Sequence, residues 1–131
     1  TFEIHSHTHT HNRWDKLCAT PADKRQQLAQ DLAMARQTLH HHLGRASEHL
    51  CWPQGYFDED YREVARAAGF SHFYTTDAHG QNKSERNLEH IYRLSVKNRA
   101  AFQFAQRIIL ARSAIFGPLY NRWKKRADQK A

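Results

Sequence analysis

A chain of 131 residues can bury one modest core and leaves little room for a second. Apolar residues at 40% and charged residues at 25% exclude the composition of a disordered chain, and two cysteines, Cys18 and Cys51, exclude a disulfide scaffold or a cysteine-rich zinc site while allowing one bridge. The 20 Lys and Arg against 13 Asp and Glu give a formal charge of +7, much of it late, at Arg107, Arg112, Arg122, Lys124, Lys125, Arg126 and Lys130, which favours contact between the tail and an anionic surface.

The segment Phe2 to Thr10 alternates strictly, with Ile4, Ser6, Thr8 and Thr10 on one side and His5, His7 and His9 on the other, as a strand does. From Thr20 to Leu43 the residues Leu28, Leu32, Ala35, Leu39 and Leu43 recur at steps of three and four, which predicts a helix. Thr20 is its cap, Pro21 suits its first turn, Asp23 completes a box-like pair and Gly44 stops it. Ser47 to Trp52 reads as a strand running into the turn Pro53-Gln54-Gly55. Asp58 then caps a second helix through Tyr61, Val64, Ala65 and Ala68, ended by Gly69. The aromatic and β-branched run Phe70 to Thr76 follows as a third strand.

Strand, helix, strand, helix, strand is the order of parallel strands joined by right-handed crossovers, so the fold class is α/β and a site belongs where the strands end. Asp77 to Asn87 reads as a loop and Ile91 to Val96 as one more strand. Arg99 to Ile115 has helical spacing, broken or kinked by Pro118, and the basic stretch 119–131 is expected to fray. No run approaches about 18 apolar residues and no charged-then-apolar leader precedes the domain; the compartment is left open.

Neutral imidazole is a good ligand for zinc and similar ions, and two such groups four residues apart can meet at one ion where a strand curls into a turn. His7 with His11 meets this condition if the strand ends near Thr8, although spacing alone does not prefer it to His5 with His9. His40, His41 and His42 close the long helix, where imidazolium interacts well with the helix C-terminus.

Taken together, these residues resemble the polysaccharide deacetylases, carbohydrate esterase family four. Glu3 to His11 is similar to the family's Ser/Asn-His-Thr-x-x-His motif. Leu50 to Asp58 is similar to its Pro-x-Gly segment, and Ala65 to Phe70 leading into Phe73-Tyr74-Thr75-Thr76 follows its order of helix, Gly, strand. The similarity runs from about Phe2 to Val96 and corresponds to the C-terminal part of such a domain. It implies a partial, distorted (β/α) barrel over residues 1–98, lacking its first strands, and a basic helical extension over residues 99–131.

The same resemblance implies a divalent metal, zinc by preference, held by one Asp and two His. The histidines carry over as His7 and His11, and Pro53 and Gly55 shape the loop beside the substrate, with Trp52, Tyr56 and Trp14 as aromatic surfaces for sugar. The Asp and the catalytic base belong to an earlier Thr-Phe-Asp-Asp motif that Thr1-Phe2-Glu3-Ile4 does not match. Cys51 stands where many members carry Arg, and His79 and His90 match the late general acid by position only.

The activity implied is metal-dependent hydrolysis of N-acetyl groups from an acetylated polysaccharide or glycoconjugate, impaired in this chain. The alternatives are a noncatalytic metal-binding remnant and a module that meets an anionic surface through its basic tail. No specific nucleic-acid partner is expected.

Overall fold

A computed structural model describes residues 3–77, 82, 88–94 and 100–128 of the chain. Its elements run in the order α1 (Trp14–Leu17), α2 (Pro21–Leu43), β1 (His49–Cys51), α3 (Glu59–Ala67), β2 (His72–Tyr74), α4 (Ala101–Arg112) and α5 (Phe116–Asp128), with a 3-10 turn at Pro53–Gly55 after β1. The chain divides into two compact units, residues 1–75 with 88–90, and residues 76–87 with 91–131.

The long helix forms where its signals place it. The Thr20 side chain accepts from the Asp23 backbone N–H at 3.1 Å, its hydroxyl donates to the Asp23 carboxylate at 2.7 Å, and Gly44 ends the helix at φ +70. In α3 the Asp58 carboxylate accepts from the Tyr61 N–H at 2.9 Å. Lys24 of α2 reaches Asp58 at 2.9 Å and Asp60 at 2.6 Å, and Arg25 reaches Asp60 at 2.7 Å, so the two helices are clasped along their N-terminal turns. Burial opposes charge on Lys24, but its hydrogen bonds to the two carboxylates outweigh that and hold its pKa above the usual lysine range.

β1 and β2 pair in parallel, with His49 opposite His72, Leu50 opposite Phe73 and Cys51 opposite Tyr74. Ser6 joins β1 through a parallel bridge to Leu50, where the expected first strand contracts to this one bridge among the described residues. Residues 91–94 hold an isolated bridge at Ile91 instead of the expected strand, and 95–96 lie outside the described residues. Two helical crossovers thus connect three parallel segments, giving the α/β arrangement expected; among the described residues the sheet itself has two strands, not a barrel.

One face of this sheet is apolar. Leu50, Trp52 and Phe73 pack with Leu28 and Leu32 of α2, Tyr61, Val64 and Ala65 of α3, and Phe70, to make the core. Cross-strand partners share a face, so the opposite side carries His5, His7, His49, Cys51, His72 and Tyr74, all half-buried or exposed.

In the second unit α4 packs on α5. The break falls at Ser113–Ile115 and Pro118 sits in the first turn of α5, where a missing N–H costs nothing, so the segment expected to fray is helical to Asp128. Among the described residues no helix is long and apolar enough to cross a membrane, and Cys18 and Cys51 are free thiols.

Candidate functional site

The turn after Ser6 brings two predicted residues together. Thr8 and His11 both adopt left-handed backbone, at φ +64 and +61, which reverses the chain at the end of the first parallel segment. The His7 and His11 rings then lie 4.8 Å apart between centroids, edge to face at 62°. His7 Nδ1 is 2.6 Å from the Cys51 carbonyl oxygen, which can only accept, so Nδ1 carries a proton and the neutral ring presents its lone pair at Nε2. A ring held in this way by a backbone carbonyl is prepared as an Nε2 ligand. His5 does not pair with His9: its ring stacks on His49 at 4.4 Å and its Nδ1 meets the Ser47 hydroxyl at 2.7 Å.

His5, His49 and His72 form a ladder across the three parallel segments, with His49 and His72 stacked at 4.2 Å and nearly parallel. Burial, then the neighbouring His72 and His5, pushes the His49 pKa down. Its Nδ1 lies 2.9 Å from the Tyr74 hydroxyl. Stacked rings present their faces to one another and do not converge on a point. Among the described residues no group of three or more His, Cys, Asp or Glu side chains is arranged to hold a metal ion. An open depression of about 240 Å³ lies beside this ladder, lined by Glu3, His5, Ser47 and His49 among others, and neither His7 nor His11 borders it.

The other predicted residues are placed as follows. Trp52 was expected against a sugar but is 0% exposed, stacked on Phe57 at 5.8 Å and edge-on to Tyr61 at 5.5 Å, because its large apolar ring fills the space between β1 and α3. Pro53 is buried beside it, while Gly55 and Tyr56 are half-buried. Arg13 lies over the Tyr56 ring at 3.8 Å, so that face is already covered. The Trp14 indole N–H donates to Asp31 at 3.1 Å. His90 packs near Phe57 at 5.8 Å, and His79 lies outside the described residues.

Three residues essential to this geometry went unpredicted. Asp31 of α2, 2% exposed, accepts from the backbone N–H groups of His9 at 3.0 Å and Thr10 at 2.8 Å. Arg13 and Asp15 form a two-point ion pair at 2.7 and 2.6 Å, and Arg13 also donates to Gln54 at 3.2 Å, tying the histidine loop to the Pro53–Gly55 turn. Hydrogen bonding to Asp15 raises the Arg13 pKa, and burial pushes the nearby Tyr61 phenol up to about 12.

A family model described as polysaccharide deacetylase matches residues 1–73, more than half of the chain. Comparison with curated proteins gives no match. Among solved structures the chain is similar to the BpsB deacetylase domain from Bordetella bronchiseptica, at 28% identity and TM-score 0.53, over 57% of this chain and 28% of that one. It is also similar to IcaB from Ammonifex degensii, at 22% identity and TM-score 0.61, over 82% of this chain and 46% of that one. A de-N-acetylase from Aggregatibacter actinomycetemcomitans matches at 18% identity and TM-score 0.56, over 66% of this chain and 32% of that one. The last two likenesses show the fold alone, and the chain spans less than half the length of each of the three.

Proposed function

The chain belongs to the polysaccharide deacetylase family, and from that membership we propose that it supplies the histidine side of a metal-dependent site hydrolysing N-acetyl groups of a polysaccharide. The observation that carries this reading is the His7–His11 pair at 4.8 Å, with the His7 tautomer fixed by the Cys51 carbonyl. Both rings are exposed, so a hydrated ion can reach them. In this reading the segment at Ser6, β1 and β2 are consecutive strands of a distorted (β/α) barrel, and the pair lies just past the strand ends, where open parallel α/β folds bind ligands.

When bound, a divalent ion such as zinc supplies polarisation of an amide carbonyl and acidification of water. The contribution of this chain is positional. The Cys51 carbonyl aims His7, the reversed backbone at Thr8 returns His11, and the Arg13–Gln54 link sets the Pro53–Gly55 turn, whose half-buried Gly55 borders the sugar. Two imidazoles hold an ion more weakly than three protein ligands do. His90, which matches the late general acid by position, lies near Phe57, and weak metal binding by two imidazoles is expected to make catalysis by this chain slow.

Zinc titration of the 131-residue chain, with His7→Ala and His11→Ala, tests the reading. Each substitution is expected to weaken zinc by about 100-fold, the upper end of what loss of even an outer-shell partner costs. Release of acetate from an N-acetylated glucosamine oligomer should be slow and should disappear with chelator. Zinc affinity unchanged in both variants would overturn the reading.

A further inference from the structure

We infer that Asp31 is a positioning residue for the His7–His11 pair: its buried carboxylate, reaching from α2, fastens the reversed turn that returns His11 to His7. The inference rests on the metal-site reading above. Asp31 Oδ1 receives the N–H groups of two successive residues of the turn, His9 and Thr10, and Oδ2 receives the Trp14 indole N–H. A carboxylate taken out of water is tolerated when its lone pairs are filled, and three donors, two from the turn and one from the start of α1, fill them.

The turn needs such a clamp. Threonine is β-branched and disfavours positive φ, and His11 has no glycine-like freedom either, yet both are held there. The local bond from the His11 N–H to the Thr8 hydroxyl at 3.1 Å supports the reversal from within. Asp31 supports it from without, anchored on a helix whose neighbouring residues Leu28, Leu32 and Ala35 are buried. Without the carboxylate, Thr8 is free to relax to negative φ, and that swings His11 away from His7.

Only an acceptor serves here. Asparagine has nearly the same shape, but its amide N–H would face one of three donors, so Asp31→Asn removes an acceptor while keeping the volume. The test is zinc titration of the 131-residue chain carrying Asp31→Asn, His11→Ala, and both. Asp31→Asn is expected to weaken zinc by about 10- to 100-fold, as outer-shell substitutions do. In the His11→Ala background it should change affinity less than about twofold, because the residue it positions is gone. An equal loss in both backgrounds would mark a merely structural role and sink the proposal.

A readout without metal accompanies this. Proton NMR should show ring-to-ring contacts between His7 and His11 in the parent chain and not in Asp31→Asn; contacts retained in the variant would also overturn it. Should Asp31→Asn fail to fold, Trp14→Phe removes one of the three bonds and is expected to weaken zinc by about 2- to 10-fold, the worth of a single hydrogen bond. No loss there would count against the clamp. If His7→Ala and His11→Ala bind zinc as the parent does, the metal reading is what fails; if they lose it and Asp31→Asn does not, only the clamp fails.

Discussion

His49 sits between two other imidazoles, and that position ties its protonation to the stability of the fold. Its pKa is lowered from 6.5, first by burial and then by His72 and His5, with Glu3 and Glu48 opposing. The unfolded chain therefore takes up a proton at His49 more readily than the native chain does. Stability contributed in this way is complete above pH 6.5 and declines as pH falls from there toward the depressed native value. Urea unfolding followed between pH 7.5 and 5.5 should show a midpoint that falls with pH. His49→Asn should flatten that dependence; an unchanged slope in the variant would assign the effect to other groups.

Asp31 teaches a related lesson about what a sequence discloses. Leu28, Asp31, Leu32 and Ala35 fall at i, i+3, i+4 and i+7, so a carboxylate occupies the core-facing stripe of an otherwise ordinary amphipathic helix. That misplacement is legible, although its partner is not, because backbone N–H groups leave no trace in residue type. The His7–His11 meeting was suggested by spacing and by the family motif together. Burial of Trp52 was hidden, since a large aromatic beside a proline turn serves equally well as core or as sugar platform.

At the scale of elements, capping chemistry was the most readable part of the chain. Thr20, Pro21, Asp23 and Gly44 bound α2, and Asp58 begins α3 where its side chain can reach the third N–H. The strands were harder, because alternation from Phe2 to Thr10 described polar residues around a turn as well as it described a strand. Pro118 misled for a related reason: proline ends one helix or begins another, and only tertiary context decides.

Asp58 has two tasks, capping α3 and meeting Lys24 of α2. Asp58→Ala should therefore cost about 1–2 kcal/mol, the upper part of the range for a lost cap. Chemical denaturation with an unchanged dependence on denaturant would read this directly, and a cost below about 0.5 kcal/mol would mean that neither task matters.

For the whole molecule, the sheet is a divider with an oily side and an imidazole side. Leu32, 0% exposed, sits at the centre of the oily side with Leu50, Trp52 and Phe73. Leu32→Ala should cost about 2–5 kcal/mol, measured as a lowered denaturant midpoint.

Connectivity adds a consequence for anyone who shortens the chain. The family match stops at residue 73, but Leu88–His90 returns to the first unit, where the Leu88 carbonyl accepts from the Phe73 N–H at 2.8 Å and Glu89 grips Arg66 at 2.5 and 2.8 Å. The chain thus passes from the first unit to the second, back, and out again. A fragment ending at Thr75 would leave the Phe73 N–H of β2 without the Leu88 carbonyl, an acceptor that one ending at His90 retains.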